Sequence, residues 1–566
     1  MLNWVIMRVI KAFRILFTLL LLVAGTVLET LAQQEDLVLV TDRGHYISGE
    51  LIHFRAFYRA PDESGDETWS SVLYVELVLP NGSSLVQSKV GMDSSGGSGI
   101  LRIPEGLSSG TYYLKAYTRW MRNCGPEAFV YTSLQIYDPF NEQVLPVDST
   151  GWEPGEIAGI FQQPSRHDPE MLECRLDKVR SGIREEVTAD LRWKFSNAPL
   201  NMTISVAKAG LHGEQHYIHP GCPVDKHYAS AFLPENRGIS LSGQAVSIGE
   251  SAPAPYATIY VTVLGEDRDF FCNYSDSAGR FYFSLPAYAG ERELFVSTYH
   301  PKYGDLELLI DRDFSQNALH LPSHGILLSD SLVGLVGEMS VNAQIAQQYY
   351  PVGRRVPEIP VSDGLQFYGQ PTSTIMFDDF IKLPKLEEYF IEVVPQVAVR
   401  RSGGVRRLVL LGEHPELAVY PPLLMIDGVA IFDLEAVLGV SPRLIERVEI
   451  VNAPYIRGNV TFGGIISLIS KNNDLGYIDL PSSGLLVNYR MLDLPFDESI
   501  RNGITDPRLP DVRNTLYWNA DLELEPGKEQ RITFRTADLK GDYEILIRGF
   551  DSAGQYLEKR VPFRVD

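Results

Sequence analysis

Leu51-Ile52-His53-Phe54-Arg55-Ala56-Phe57-Tyr58, then Val72-Leu73-Tyr74-Val75-Glu76-Leu77-Val78-Leu79, then Asn81-Gly82 is the stretch that decides the fold class. The first run alternates with the period of a strand, the second is rich in β-formers, and Asn-Gly is the strongest two-residue hairpin signal. Upstream lies the apolar run Leu37-Val38-Leu39-Val40. Downstream follow Ile100 to Ile103, Tyr112 to Tyr117 and Tyr131 to Ile136, separated by Gly, Asp and Ser. Short strands at that spacing predict an antiparallel sandwich over 36–140.

The same pattern continues. Residues 141–170 read as a linker rich in Pro, Gly and acids. With 171–237 they form a second expected unit, whose strands are Glu186 to Phe195 and Met202 to Ala207. A third sandwich is expected over 239–314, and a last one over 505–566. Gly110-Thr111-Tyr112-Tyr113-Leu114 echoes Gly541-Asp542-Tyr543-Glu544-Ile545, each placing Gly two residues before a Tyr that opens a strand. Between these units the period changes. Leu332, Leu335, Val336, Met339 and Ala343 recur at three and four, predicting a helix over 329–350. Phe377 to Val393 is a second helical candidate, with Pro384 near its start or breaking it. Leu434 to Leu438 is a third. The segment 325–395 is thus a helical connector leading into a small α/β unit at 396–481.

Composition bounds the function. The chain has 566 residues, 45% hydrophobic and 22% charged, with a net charge of −22. At roughly 100–200 residues per domain this is a multidomain globular protein. The acid excess excludes a basic face of the kind nucleic acid needs. Arg8, Lys11 and Arg14, the apolar run Ile15 to Val23 and the small residues Thr30 and Ala32 predict a signal peptide over 1–32. Export permits disulfides. Cys124, Cys174, Cys222 and Cys272 allow three pairings, among which spacing does not choose.

Several segments resemble known families. Thr41-Asp42-Arg43 with Tyr46-Ile47-Ser48-Gly49-Glu50, and Gly110 to Thr118, resemble a macroglobulin-type domain. Ser242-Gly243-Gln244-Ala245-Val246, Ala257-Thr258-Ile259 and Asp276-Ser277-Ala278-Gly279-Arg280-Phe281 resemble the carboxypeptidase regulatory-like domain, a prealbumin-like sandwich that is not a peptidase. Pro422-Leu423-Leu424-Met425-Ile426-Asp427-Gly428-Val429, Ile445 to Ile450 and Gly463 to Lys471 resemble the plug domain of TonB-dependent outer-membrane receptors. The implied fold is mostly β: several immunoglobulin- or prealbumin-like sandwiches plus a small α/β plug-like domain. Within the plug-like segment Asp427 is expected to bond its own backbone and Gly428 to take positive φ. A receptor barrel needs over about 200 residues beyond its plug, and only 95 follow Lys471.

The resemblance implies a non-catalytic protein of the periplasm or outer membrane that binds or scaffolds outer-membrane proteins or their cargo. Its partners would be outer-membrane or periplasmic proteins, including a separate β-barrel. One alternative is an accessory of TonB-dependent transport acting with such a barrel, and another is a carbohydrate-binding surface protein. No nucleophile elbow, His-Glu-x-x-His or phosphate loop is present, so neither an enzyme nor a cofactor is expected. The macroglobulin thioester Cys-Gly-Glu-Gln has its counterpart in His212-Gly213-Glu214-Gln215, where no thioester can form without the Cys. His212, His216 and His219 are the metal candidates by spacing. Arg400, Arg401, Arg406 and Arg407 surround Ser402-Gly403-Gly404 and are, with Asp427 and Gly428, the candidate binding residues, suited to an acidic partner or an anion.

Overall fold

A computed structural model of the protein describes residues 35–59, 70–147, 167–194, 199–213, 215, 217–218, 232–265, 268–300, 306–323, 329–349, 366–402, 404–478, 480, 483–494, 504, 506–551 and 554–566. The signal-peptide segment, His216, His219 and Cys222 lie outside these. The chain forms two compact units. One comprises Met1–Arg237, Phe314–Val356 and Leu492–Asp566, the other Gly238–Asp313 and Pro357–Met491. The architecture is mostly β. Among the described residues no helix is long and apolar enough to cross a membrane.

The first unit opens with the expected sandwich. A three-stranded sheet of Asp36–Thr41, Leu51–Arg59 and Gly96–Arg102 accompanies a larger sheet built on Ser84–Gly91, Val72–Val78, Gly110–Tyr117 and Val130–Tyr137. Asn81-Gly82 does connect paired strands, with Gly82 at φ 83°, in a loop longer than two residues. Val72–Val78 is buried on both faces. Its outer side is shielded by returning chain: the Ser71 and Leu321 amides donate to Glu235 and Pro80 carbonyls, and the Tyr113 hydroxyl donates to the Pro322 carbonyl.

The second and last expected sandwiches are one domain. Leu200–Lys208 runs between Thr515–Leu524 and Gly541–Asp551, with Ile204 opposite Ile547. Glu186–Trp193 runs between Leu172–Leu176 and Glu529–Arg535. The boundaries 141–237 and 505–566 are therefore corrected to two halves of a shared fold. The reason is core closure. Val187, Leu191, Trp193 and Ile204 are fully buried only because Ile532, Phe534, Ile545 and Phe563 complete the same cluster. The helix Asp330–Tyr349 lies within the expected 329–350 and packs Leu335, Val336, Met339 and Ala343 onto Ile47, Tyr137, Ala207 and Leu211.

The Gly-x-Tyr echo has a physical cause. Tyr112 donates to the Ser108 carbonyl at 2.6 Å, and Tyr543 donates to the Leu539 carbonyl at 2.9 Å, each four residues back. Both are tyrosine corners, which lock the chain as it enters a strand.

The second unit holds a sandwich of Ile239–Ser247, Arg280–Leu285 and Leu306–Ile310 against Asp269–Tyr274, Thr258–Val263 and Glu291–Tyr299. The expected boundary at 314 is too early, because Leu485–Arg490 returns to pair with Glu291–Tyr299 and extends this sheet. Tyr489 fixes the register, its hydroxyl 2.8 Å from the Ser240 carbonyl and 2.6 Å from the Asp313 carboxylate. The rest is a five-stranded sheet in the order Ser373–Met376, Ile445–Val451, Ile465–Ser470, Leu423–Ile426, Val429–Ala430. Leu434–Gly439 is helical as expected. The expected helix over 377–393 is shorter. A 3-10 turn at Phe377–Asp379 is followed by an α-helix only at Leu386–Glu392, since Pro384 disfavours helical backbone at Leu383.

Candidate functional site

The four arginines sit on a two-stranded ribbon, Val397–Ser402 paired with Val405–Leu410, that reverses with Gly404 at φ 83°. Strand alternation divides them. One face carries Val397, Val399, Leu408 and Leu410 into a core shared with Leu386, Tyr389 and Phe390 of the helix. Arg401 and Arg406 end this inward row. Glu387 of the helix accepts from Arg401 at 3.3 Å and from Arg406 at 2.7 Å, and Glu435 accepts from Arg406 Nε at 2.8 Å.

Arg400 and Arg407 occupy the outward face directly opposite one another. Both are exposed. Among the described residues neither has an ion-pair or hydrogen-bond partner. Two like charges opposed across strands are destabilising by about 0.2–1 kcal/mol. Ala398 and Val409 flank the pair on one side and Val405, 59% exposed, on the other.

Asp427 and Gly428 lie elsewhere, in the sheet. They form a two-residue turn between Leu423–Ile426 and Val429–Ala430, with φ of 49° and 82°. Positive φ at both positions defines the type I′ geometry that Asp-Gly favours. The Asp427 carboxylate does not bond its own backbone. It is buried and accepts from the Ser470 amide at 2.8 Å, the Ser470 hydroxyl at 2.6 Å and the Leu475 amide at 2.8 Å. The Gly428 carbonyl accepts from Thr262 of the sandwich at 3.0 Å. These two residues join elements of the unit and present nothing to solvent.

That junction is broad. Tyr260, Phe270 and Cys272 of the sandwich pack with Leu423, Met425, Val460, Phe462 and Ile465. Phe432 has its ring 4.7 Å from Tyr260 and 5.0 Å from Tyr299. Arg457 reaches Asp269 at 2.8 Å and the Phe270 carbonyl at 2.7 Å. One face of the five-stranded sheet is thus covered by its own helices and ribbon, the other by the sandwich.

His212 is in the first unit and is buried. Its ring lies 2.8 Å from Glu544 and 3.0 Å from the Ser205 hydroxyl. Burial lowers its pKa, against the raising effect of Glu544, whose own carboxyl is lowered chiefly by this hydrogen bond. Serine, histidine and acid in line have the spacing of an activated nucleophile. Ser205 is fully buried, however, and its hydroxyl donates to the Asp42 carbonyl at 2.6 Å. The hydroxyl is thus engaged within the core, and the line fastens three chain segments together. Sequence reasoning missed the line, because Ser205 and His212, seven residues apart, carry no shared motif and Glu544 comes from 332 residues further along the chain. Among the described residues no three His, Cys, Asp or Glu side chains gather as a metal site.

The macroglobulin-like motif is also internal. Asp42 is fully buried and accepts from Tyr46 at 2.7 Å, Thr515 at 2.6 Å and the His53 amide at 3.0 Å. Burial works to raise its carboxyl, but the His53 hydrogen bond and the Arg43 and His53 charges hold it well below the usual range. Arg43 reaches Glu50 at 3.3 Å, Glu50 accepts from Asn514 at 2.6 Å, and Asn514 accepts from Asn342 of the long helix at 2.9 Å. Cys124 is disulfide-bonded, whereas Cys174 and Cys272 are free thiols, so no pairing that uses all four cysteines forms.

No protein-family model and no curated protein matches the chain. Among solved structures, Salmonella alpha-2-macroglobulin reacted with methylamine is similar at 9% identity over 94% of this chain and 40% of that one, with a TM-score of 0.24. The native conformation of E. coli alpha-2-macroglobulin gives 9% identity, 95% and 40% coverage and a TM-score of 0.23. The D0-D1 domain of intimin gives 10%, 48% and 96% coverage and 0.14. The chain spans about 40% of the length of the macroglobulins. Superpositions at these TM-scores assign neither family nor activity, and the fold class rests on the protein's own sheets: mostly β, in sandwiches, with one small mixed sheet flanked by helices.

Proposed function

We propose that the protein is an exported, non-catalytic scaffold of the cell envelope, binding outer-membrane or periplasmic proteins or their cargo, with the plug-like segment as its docking element. One observation carries this reading. The five-stranded sheet is covered on both faces, by its own helices and ribbon and by the neighbouring sandwich. A segment seated inside a separate barrel would have to lose the Phe432, Arg457 and Thr262 contacts, so the fused arrangement favours a rigid docking module over an inserted gate. The burial of Ser205 and His212 supports a non-catalytic role. The outward face of the ribbon is the part of this module suited to a partner.

Cross-linking in intact host envelope, followed by recovery of the full chain and mass spectrometry, tests the reading. The expected adducts are outer-membrane or periplasmic proteins. Recovery of the chain without any envelope protein would overturn it, as would turnover of a substrate abolished by Ser205→Ala.

A further inference from the structure

We infer that the outward face of the Val397–Ser402/Val405–Leu410 ribbon is a receptor for an extended, carboxylate-bearing segment of a partner protein, clamped by Arg400 and Arg407; this rests on the binding reading above. In a chain of net charge −22, two of the four ribbon arginines are neutralised by Glu387 and Glu435 on the inward face. The other two are opposed and exposed, and among the described residues neither has an ion-pair partner. The fold holds a like-charge contact that an internal carboxylate would have relieved, as it is relieved one residue further along the same strands.

The chemistry follows from the fork. A guanidinium presents planar paired N–H donors that match a carboxylate in bidentate fashion. Directly opposed residues have Cα atoms about 4.5–5.5 Å apart. One carboxylate can therefore bridge both forks, or two can take one each. The flanking residues specify what surrounds it. Along the ribbon the outward rows read Ala398/Val409, then Arg400/Arg407, then Val405. An extended segment places every second side chain on one face, at about 6.8 Å intervals. The complementary segment thus reads apolar–x–acid–x–apolar. The net charge of −22 opposes extended polyanions such as an anionic lipid surface, while a single carboxylate can be held at short range.

The probe is the acetylated, amidated peptide Val-Thr-Glu-Thr-Val, titrated against the full chain at low and high salt. Comparisons are the same peptide with Gln for Glu, and phosphatidylglycerol vesicles. Binding is expected to weaken about tenfold or more for Arg400→Gln and for Arg407→Gln, the size of one lost charge-assisted hydrogen bond. It should weaken similarly for the Gln peptide, fall with salt, and be unchanged by Arg192→Gln in the other unit. Thermal melts establish that the variants fold, as expected for exposed positions. Absence of peptide binding to the wild-type chain overturns the proposal, as does equal binding by the double variant, or arginine-dependent vesicle binding with no peptide binding. If envelope cross-links persist in the double variant, the scaffold reading stands and this site falls. If the wild-type chain forms none, the scaffold reading itself falls.

Discussion

Replacing Arg407 by Glu should stabilise the ribbon. The substitution turns a like-charge cross-strand pair with Arg400 into an opposite-charge pair at the same register position. Two unit charges about 5.5 Å apart in water interact by about 0.8 kcal/mol, so the swing is about 1.5 kcal/mol at low salt. Cross-strand pairs contribute about 0.2–1 kcal/mol each, and side-chain freedom brings the expected gain toward 1 kcal/mol. The assay must see the second unit. Trp4, Trp69, Trp120, Trp152, Trp193 and Trp518 all fall in the first unit's segments, so tryptophan fluorescence is blind to the ribbon. Native-state hydrogen exchange of the 397–410 amides reads it directly. A gain of 1 kcal/mol slows exchange through local opening about fivefold. At 1 M salt, where the screening length is about 3 Å, the difference should vanish. Faster exchange in Arg407→Glu, or a slowing indifferent to salt, would refute the claim that Arg400 and Arg407 repel one another unpartnered.

Three further perturbations separate the internal devices from the surface one. Asp427→Ala removes three accepted hydrogen bonds and leaves the buried Ser470 amide and the half-buried Leu475 amide without that partner; urea unfolding followed by circular dichroism should show a loss of about 3–5 kcal/mol, with Asp427→Asn costing less. Gly458 has φ 59°, and a Cβ there would lie 2.1 Å from the Cys272 carbonyl oxygen; Gly458→Ala should lift Tyr455–Arg457/Val460–Phe462 from the sandwich and make the Cys272 thiol, which burial pushes up to about 12, reactive toward a disulfide reagent that leaves the wild-type thiol untouched. In the first unit burial lowers His212 from 6.5 and, with Arg43 nearby, lowers His45 to about 4. The unfolded chain therefore binds more protons below pH 6.5, and stability present above that pH is lost as pH falls toward 4. Tryptophan-monitored melts should show this slope, and replacing both histidines by Gln should flatten it.

Much of the local structure was legible because it is set by neighbours in the chain. The 3.6-residue recurrence of Leu332 to Ala343 gave a helix, and Asp427-Gly428 gave a turn with Gly428 at positive φ, while the positive φ of Asp427 and the distant partners of its carboxylate were not legible. The echo around Tyr112 and Tyr543 pointed to two like strand entries, and the shared hydroxyl-to-carbonyl bond explains it. Pairings between distant segments were not legible. Leu200–Lys208 carries nothing to show that its neighbour is Gly541–Asp551, nor does Glu291–Tyr299 announce Leu485–Arg490, because β pairing is decided by shape and burial across the core. The arginine cluster lies between these cases. Its four members form one group around a turn in the sequence, yet strand alternation puts Arg400 and Arg401 on opposite faces. The carboxylates that complete the inward pair, Glu387 and Glu435, could be assigned only in three dimensions.

The docking claim is tested most directly by a photo-cross-linker introduced at Val405, beside the arginine pair on the exposed face, in the full chain within intact envelope. The predicted result is adducts with periplasmic or outer-membrane proteins through extended acidic segments, lost when Arg400 and Arg407 are both Gln and retained in Arg192→Gln. Adducts of equal yield with and without the two arginines would contradict it.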